Sequence, residues 1–183
     1  MAGNDDALDD DRVLIAAARL GTAAAWQRIA DRYRPELVRF LTRLCGDPDL
    51  AEEAAQQAFL VALRRRDRLA DDRPLRLWLF ALARDQLRTI RRRQWRRRTL
   101  SLDRLLALGA IDPPAPPGRA PLGDRAQRAL EALDPRAREA LLLRELAGFS
   151  DREIARLQGD SLAAVRKRLW RARRRFARRY TDG

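Results

Sequence analysis

The sequence predicts an all-α fold in two small helical units joined by a proline-rich linker. Three observations carry this. No stretch alternates apolar and polar residues for long, the period-two signature of a half-buried strand. Long runs instead repeat apolar residues at spacings of three and four, which is one face of a helix. And "DPPAPPGRAPLG", residues 112 to 123, holds five of the nine prolines, so it is no helix interior and reads as an extended, semi-stiff connection.

In chain order, "MAGNDDALDDD" is an acidic start, assigned to a flexible N-terminus over residues 1–12. "RVLIAAARL" and "AAAWQRIADRYRPELVRFLTRLC" both show helical periodicity. "GDPDLAEEAAQQAFLVALRRR" offers Asp47 as N-cap and Pro48 as first helical residue, then runs without a breaker to about Arg66. In that helix Glu52, Glu53, Gln56 and Gln57 project to one side while Ala51, Ala55, Phe59 and Leu60 are expected to face inward. "ADDRPLRLWLFALARDQLRTIRRRQWRRR" starts a helix near Pro74, with Trp78 on a stripe with Leu75, Leu79 and Leu82 that reads as core.

The first unit is set at residues 13–100, the linker at 101–123 and the second unit at 124–183. In the second unit, Asp134 and Pro135 repeat the cap-then-proline start, and Gly148 closes that helix. "SDRE", Ser150 to Glu153, matches a capping box, in which serine and glutamate reciprocally satisfy free amides. A short helix, Gly159 as a turn and Ser161 as a cap lead into "SLAAVRKRLWRARRRFARRY". There Leu162, Val165, Leu169, Ala172 and Phe176 form a stripe that should pack on Ile154, Leu157 and the helix of Leu141, Leu142 and Leu146. Short helix, glycine turn and long basic helix make the layout of a helix-turn-helix.

Composition narrows the chemistry. The chain has 183 residues and a net charge of +13, which points to a polyanionic partner, nucleic acid first and an acidic membrane surface second. Lys167 is the sole lysine; Arg forks bind phosphate and guanine edges bidentately, though a GC-rich genome explains the same bias. One cysteine, Cys45, and no histidine exclude a disulfide framework, Cys/His zinc sites and histidine-based catalysis. No apolar run approaches membrane-spanning length, so a soluble cytoplasmic protein without a signal peptide is expected.

Four stretches, in order, resemble one family. "RYRPELVRFLTRLCGDPDLAEEAAQQAFLVAL" and "PLRLWLFALARDQLRTIRRR" look like the two parts of region two of bacterial sigma factors of the extracytoplasmic-function (ECF, group IV) type, in the sigma-70 family. "ALEALDPRAREALLLRELAGFSDREIA" and "AAVRKRLWRAR" look like region four and its recognition helix. The resemblance covers about residues 23–98 and 126–178. It implies a factor that binds core RNA polymerase, recognises a promoter and helps melt it. Such factors span promoter elements roughly 16 base pairs, about 55 Å, apart, and residues 101 to 122 reach at most about 70 Å when extended.

The resemblance also implies roles for residues. Arg166, Lys167, Trp170 and Arg171 would enter the major groove of the upstream (−35) element, with a solvated basic face as the alternative. Arg144 and Arg152, read as lying near helix starts, would clamp phosphates. Arg76, Arg84, Arg88 and Arg91 share one helix face; with Arg73, Arg92 and Trp95, and with the loop Ala70 to Pro74, they would hold the melted −10 strand and a flipped base. A targeting patch or a frayed basic helix end is the alternative for "RTIRRRQWRRR". Glu52, Glu53, Gln56 and Gln57 would dock on the β′ clamp helices, where simple helix-dipole stabilisation is the alternative. The implied partners are core polymerase through its β′ and β subunits, promoter DNA and an anti-sigma protein, with no cofactor, metal, membrane or small-molecule substrate. The chain departs from the family at Leu50 and Gln57 (Asp and Glu are usual), at Asp85 (Asn), at Asp160 (apolar) and at Ala163–Ala164 (Gly–Thr).

Two other classes compete. A polymerase-independent helix-turn-helix regulator needs a dimerisation element or effector pocket in residues 1 to 100, and neither is visible. An enzyme is reduced to carboxylate chemistry, and Glu52 and Glu53 sit on an open helix face.

Overall fold

A computed structural model describes residues 13–69, 74–107 and 125–181, with side chains on the helix through residue 96 described up to Arg96. The acidic start, Arg73 with the rest of 70–73, and the proline-rich stretch 112–123 lie outside the described residues, as do the side chains of Arg97 and Arg98. All regular structure among the described residues is helical. The order is α1 (13–19), α2 (Ala23–Cys45), α3 (Pro48–Arg64), a 3-10 turn (Arg66–Arg68), α4 (Leu75–Ala107), α5 (Arg125–Glu131), α6 (Pro135–Glu145), α7 (Asp151–Gln158) and α8 (Leu162–Thr181). No described helix is long and apolar enough to cross a membrane.

The caps form as the sequence predicts. Asp47 accepts from the Leu50 amide at 3.0 Å, Asp134 from the Ala137 amide at 2.9 Å and Ser161 from the Ala164 amide at 3.2 Å. Ser150 and Glu153 close both arms of the capping box. Three boundaries differ. α3 ends at Arg64, and the chain tightens at once into the 3-10 turn. α4 continues past residue 100 into the stretch assigned to the linker, since the first breaker after Pro74 is Gly109. The short helix α5 is not anticipated by the sequence reading, because its seven residues are too few to establish a period.

In the first unit α3 packs between α2 and α4. Its packing face is Ala51, Ala54, Ala55, Ala58 and Ala62, all fully buried, so the helix backbones can approach closely against the larger Ile29, Leu37, Phe40, Leu79 and Leu87. Trp78 is buried, as its stripe predicts. Leu60 is not: at 41% exposure it stands outside, on the open face of α3 with Leu63. The alanine stripe already fills the seam, leaving no room there for a side chain of leucine size.

In the second unit the buried side of α8 (Val165, Leu169, Ala172) packs on α5, α6 and α7. The two units are also packed on one another. The core runs continuously from one to the other. At the seam Phe80 of α4 stands between Phe40 of α2, at 5.2 Å, and Phe149 of the α6–α7 connection, at 4.9 Å and nearly edge-on. Arg138 ties the seam from the polar side. It donates to the carbonyls of Leu130, Glu131 and Leu133 at the end of α5 and, at 3.3 Å, to that of Leu44 at the end of α2. Burial lowers its guanidinium pKa from the ordinary arginine value.

Candidate nucleic-acid interface

Among the described residues, α8 carries the largest number of exposed cations. With the stripe turned inward, the opposite side presents Arg166, Lys167, Trp170 and Arg171 to solvent. Trp170 is 57% exposed, and the Arg174 guanidinium lies 4.7 Å from its ring centroid. This is a cation–π contact on an open surface. Trp170, Arg171, Arg174, Arg175, Arg178 and Arg179 line one shallow trough. The last four of these are absent from the base-reading set drawn from the sequence, because the motif that resembles a recognition helix ends at Arg173. Arg168 and Arg173, by contrast, are engaged within the unit. Arg168 donates to Gln158 at 2.6 Å and to Asp160 at 2.7 Å, and Arg173 to Glu145 at 2.6 Å.

Several departures from the family pattern find their place here. Asp160 lies in the turn before α8 and pairs with Arg168 and, at 3.3 Å, with Arg136 of α6. These partners, the hydrogen bond from Arg168 foremost, hold its carboxyl below the usual carboxylate range. The Ala164 amide donates to Ser161, so the start of α8 is capped without a threonine there. Leu50 is buried in the core, where an aspartate would be desolvated. Asp85 pairs loosely with Arg84 and Arg88, at 3.6 and 3.8 Å.

Arg152 is exposed in the first turn of α7. Arg144 is not at the start of its own helix, but it adjoins the start of α7. It lies in the last turn of α6 and donates at 3.1 Å to the Phe149 carbonyl, with Asp151 3.9 Å away. Arg144 follows Pro135 by about two and a half turns, within the bounds that the sequence sets for this helix. Asp151 also faces Arg166 at 3.5 Å, which ties α8 to the start of α7.

The arginines of α4 share a face, and the second unit meets it at Arg76, Arg84 and Arg88, with Arg88 still 48% exposed. Arg76 bonds Glu36 and the Ala147 carbonyl, with its guanidinium 4.2 Å from the Phe149 ring. Arg84 lies 3.2 Å and Arg88 3.3 Å from the two oxygens of Glu139, and Arg84 also bonds the Leu157 carbonyl. Arg91 donates to the Cys45 carbonyl at 3.2 Å. Arg92 and Trp95 lie farther along, both exposed, Trp95 by 67%. Glu139 went unremarked in the sequence, although a carboxylate beside Ala137, Ala140 and Leu143 on a buried helix side demands cationic partners.

On the open side of α3, Glu53 and Gln56 are exposed beside Leu60 and Leu63, and Gln57 is half-buried. Glu52 is paired with Arg34 of α2.

Fold and surface define a class: a two-unit, all-α protein whose second unit presents a basic recognition helix to nucleic acid. Comparison with known proteins makes the class specific. Residues 29–97 match the model of sigma-70 region 2, and residues 123–176 match that of sigma-70 region 4. The RNA polymerase sigma factor CnrH of Cupriavidus metallidurans is 31% identical over 180 residues, spanning 92% of this chain and 93% of CnrH. The ECF RNA polymerase sigma-E factor of Escherichia coli K12 is 27% identical over 173 residues, spanning 89% and 90%. Two solved structures share the fold, each with a TM-score of 0.68. They are CnrH in complex with the cytosolic domain of CnrY (27% identity, 91% of this chain and 94% of that one) and RpoE in complex with the anti-sigma factor NepR from Bartonella quintana (26% identity, 85% and 96%). The chain belongs to the sigma-70 family, among its ECF RNA polymerase sigma factors. It is a promoter-recognition factor of RNA polymerase.

Proposed function

We propose a division of labour for that role. The second unit, residues 124–183, reads the upstream element with Arg166, Lys167, Trp170 and Arg171 in the major groove, while Arg144 and Arg152 meet phosphates. The first unit, residues 13–100, seats on the β′ clamp helices of core polymerase through Glu52, Glu53, Gln56 and Gln57, to which the exposed Leu60 and Leu63 add an apolar centre. Arg73, Arg76, Arg84, Arg88, Arg91, Arg92 and Trp95 hold the melted strand. The segment between the units, from 101 to 123, bridges the two promoter elements and passes the β subunit. The role is binding without a chemical step, carried out in the cytoplasm and needing no cofactor.

The observation that carries this is the outward face of α8, where an exposed tryptophan sits among cations on a helix packed on α5, α6 and α7. Run-off transcription tests it, with bacterial core polymerase, the purified chain and a pool of genomic promoters. Defined starts that vanish without the chain are expected. Duplex binding with no transcripts would instead favour a regulator that works without polymerase.

Two relatives of like fold are held by CnrY and by the anti-sigma factor NepR in their structures. This supports an anti-sigma protein as the regulator here as well. Co-purification from the host checks it: a chain never found outside polymerase has no such partner.

A further inference from the structure

The face of α4 assigned above to the melted strand is already engaged. Glu139 of α6 is 4% exposed, and its two carboxylate oxygens meet Arg84 and Arg88 at 3.2 and 3.3 Å. Carboxylate oxygens facing two guanidinium groups are the arrangement those groups would make with a phosphate. Arg76 is shared between the units: its carboxylate partner Glu36 belongs to its own unit, while the Ala147 carbonyl and the ring of Phe149 hold it from the other. So three of the arginines that would bind nucleic acid are turned onto the other unit of their own chain.

We infer that Glu139 is an internal stand-in for phosphate: single-stranded DNA and α6 compete for Arg84 and Arg88, and the second unit must leave α4 before the strand can bind. This rests on the assignment of the α4 face to the melted strand.

Two features make the closed arrangement displaceable. Arg84 Nε is buried without a hydrogen-bond partner, so its fork is incompletely satisfied in the closed form. And a buried ion pair sets the desolvation of both charges against their attraction, which leaves a small net gain. A strand offers several phosphates along one row of arginines and releases counterions as it binds. Arg92 and Trp95 lie exposed beyond the seam, outside the contacts that Glu139 makes.

The test uses the full chain and a fluorescent single-stranded DNA oligonucleotide, read by anisotropy, with the radius of gyration followed by small-angle scattering. The wild-type chain should bind and expand as it does so. Glu139→Gln removes the competing charge, so it should bind about tenfold more tightly and be expanded even without oligonucleotide. Wild-type binding at an unchanged radius overturns the competition while leaving the α4 assignment standing, and so does equal affinity in E139Q. The wild-type scattering arm decides the matter even if E139Q fails to fold. The double variant Arg92→Ala with Trp95→Ala tests the assignment itself. If its binding is undiminished, or if no variant binds at all, α4 does not hold the strand and the inference falls with it.

Discussion

Asp160 accepts a 2.7 Å hydrogen bond from Arg168 across the turn between α7 and α8. Arg136 reaches the same carboxylate from α6, so one side chain fixes the pitch of the basic helix against two others. Asp160→Ala is expected to cost about 1 kcal/mol, the lower end for charge-assisted bonds open at one side to water. Chemical denaturation of the variant and its parent measures this. The carboxyl is held below its ordinary pKa of 3.8, so its contribution is complete above that value and is lost as pH falls through the depressed one. The difference between parent and variant should therefore be flat at neutral pH and close only in acid, below about pH 4.

Arg138 donates to four carbonyls at the ends of α5 and α2 and at Leu133. Arg138→Ala strips buried helix ends of their donor and should cost about 2 kcal/mol, lowering Tm by roughly 4–8 °C for a chain of this size. Differential scanning calorimetry reads it. A smaller loss would mean that water replaces the guanidinium.

Ala55 is fully buried in the stripe between α2 and α4. Ala55→Leu inserts a volume for which there is no space and should destabilise the first unit by about 1–3 kcal/mol. Leu63→Ala, on the exposed side of the same helix, should leave Tm nearly unchanged. It should weaken capture on core polymerase if that side is the docking face.

α8 spans 20 residues, about 30 Å at 1.5 Å per residue, while the major groove is roughly 12 Å wide. If α8 docks in the groove as proposed, the helix outruns it and its far end would meet phosphates. Arg171→Ala should cost about 1–3 kcal/mol at the preferred promoter and blur the choice of sequence. Arg178→Ala should weaken all duplexes alike and reduce the salt slope by about 0.9. Equilibrium titrations at several salt concentrations on matched and mismatched duplexes separate the two.

The sequence was most informative where physics is local. Asp47–Pro48, Asp134–Pro135, Ser150–Glu153 and Ser161 each announce a helix start within four residues, and each forms. The stripe on α8 and the burial of Trp78 follow from periodicity alone. Partners distant in sequence were not visible. Leu60 turned outward because an alanine seam leaves it no pocket, and Arg144 sits in the last turn of its own helix, beside the start of the next. The arginine row of α4 was correctly placed on one face. That the face would meet Glu139 and the carbonyls of Ala147 and Leu157 depends on how two units pack, and no spacing rule encodes that.

Lys167 is the only lysine, and it stands exposed on α8 at the centre of the proposed reading face. Amine-directed chemistry on this chain thus has one side-chain target, with the terminal amine as the other reactive group. A fluorophore or cross-linker coupled there would report from the recognition helix itself. The arginine bias that gives the chain its charge has left one side-chain amine, on the recognition helix, to carry such a label.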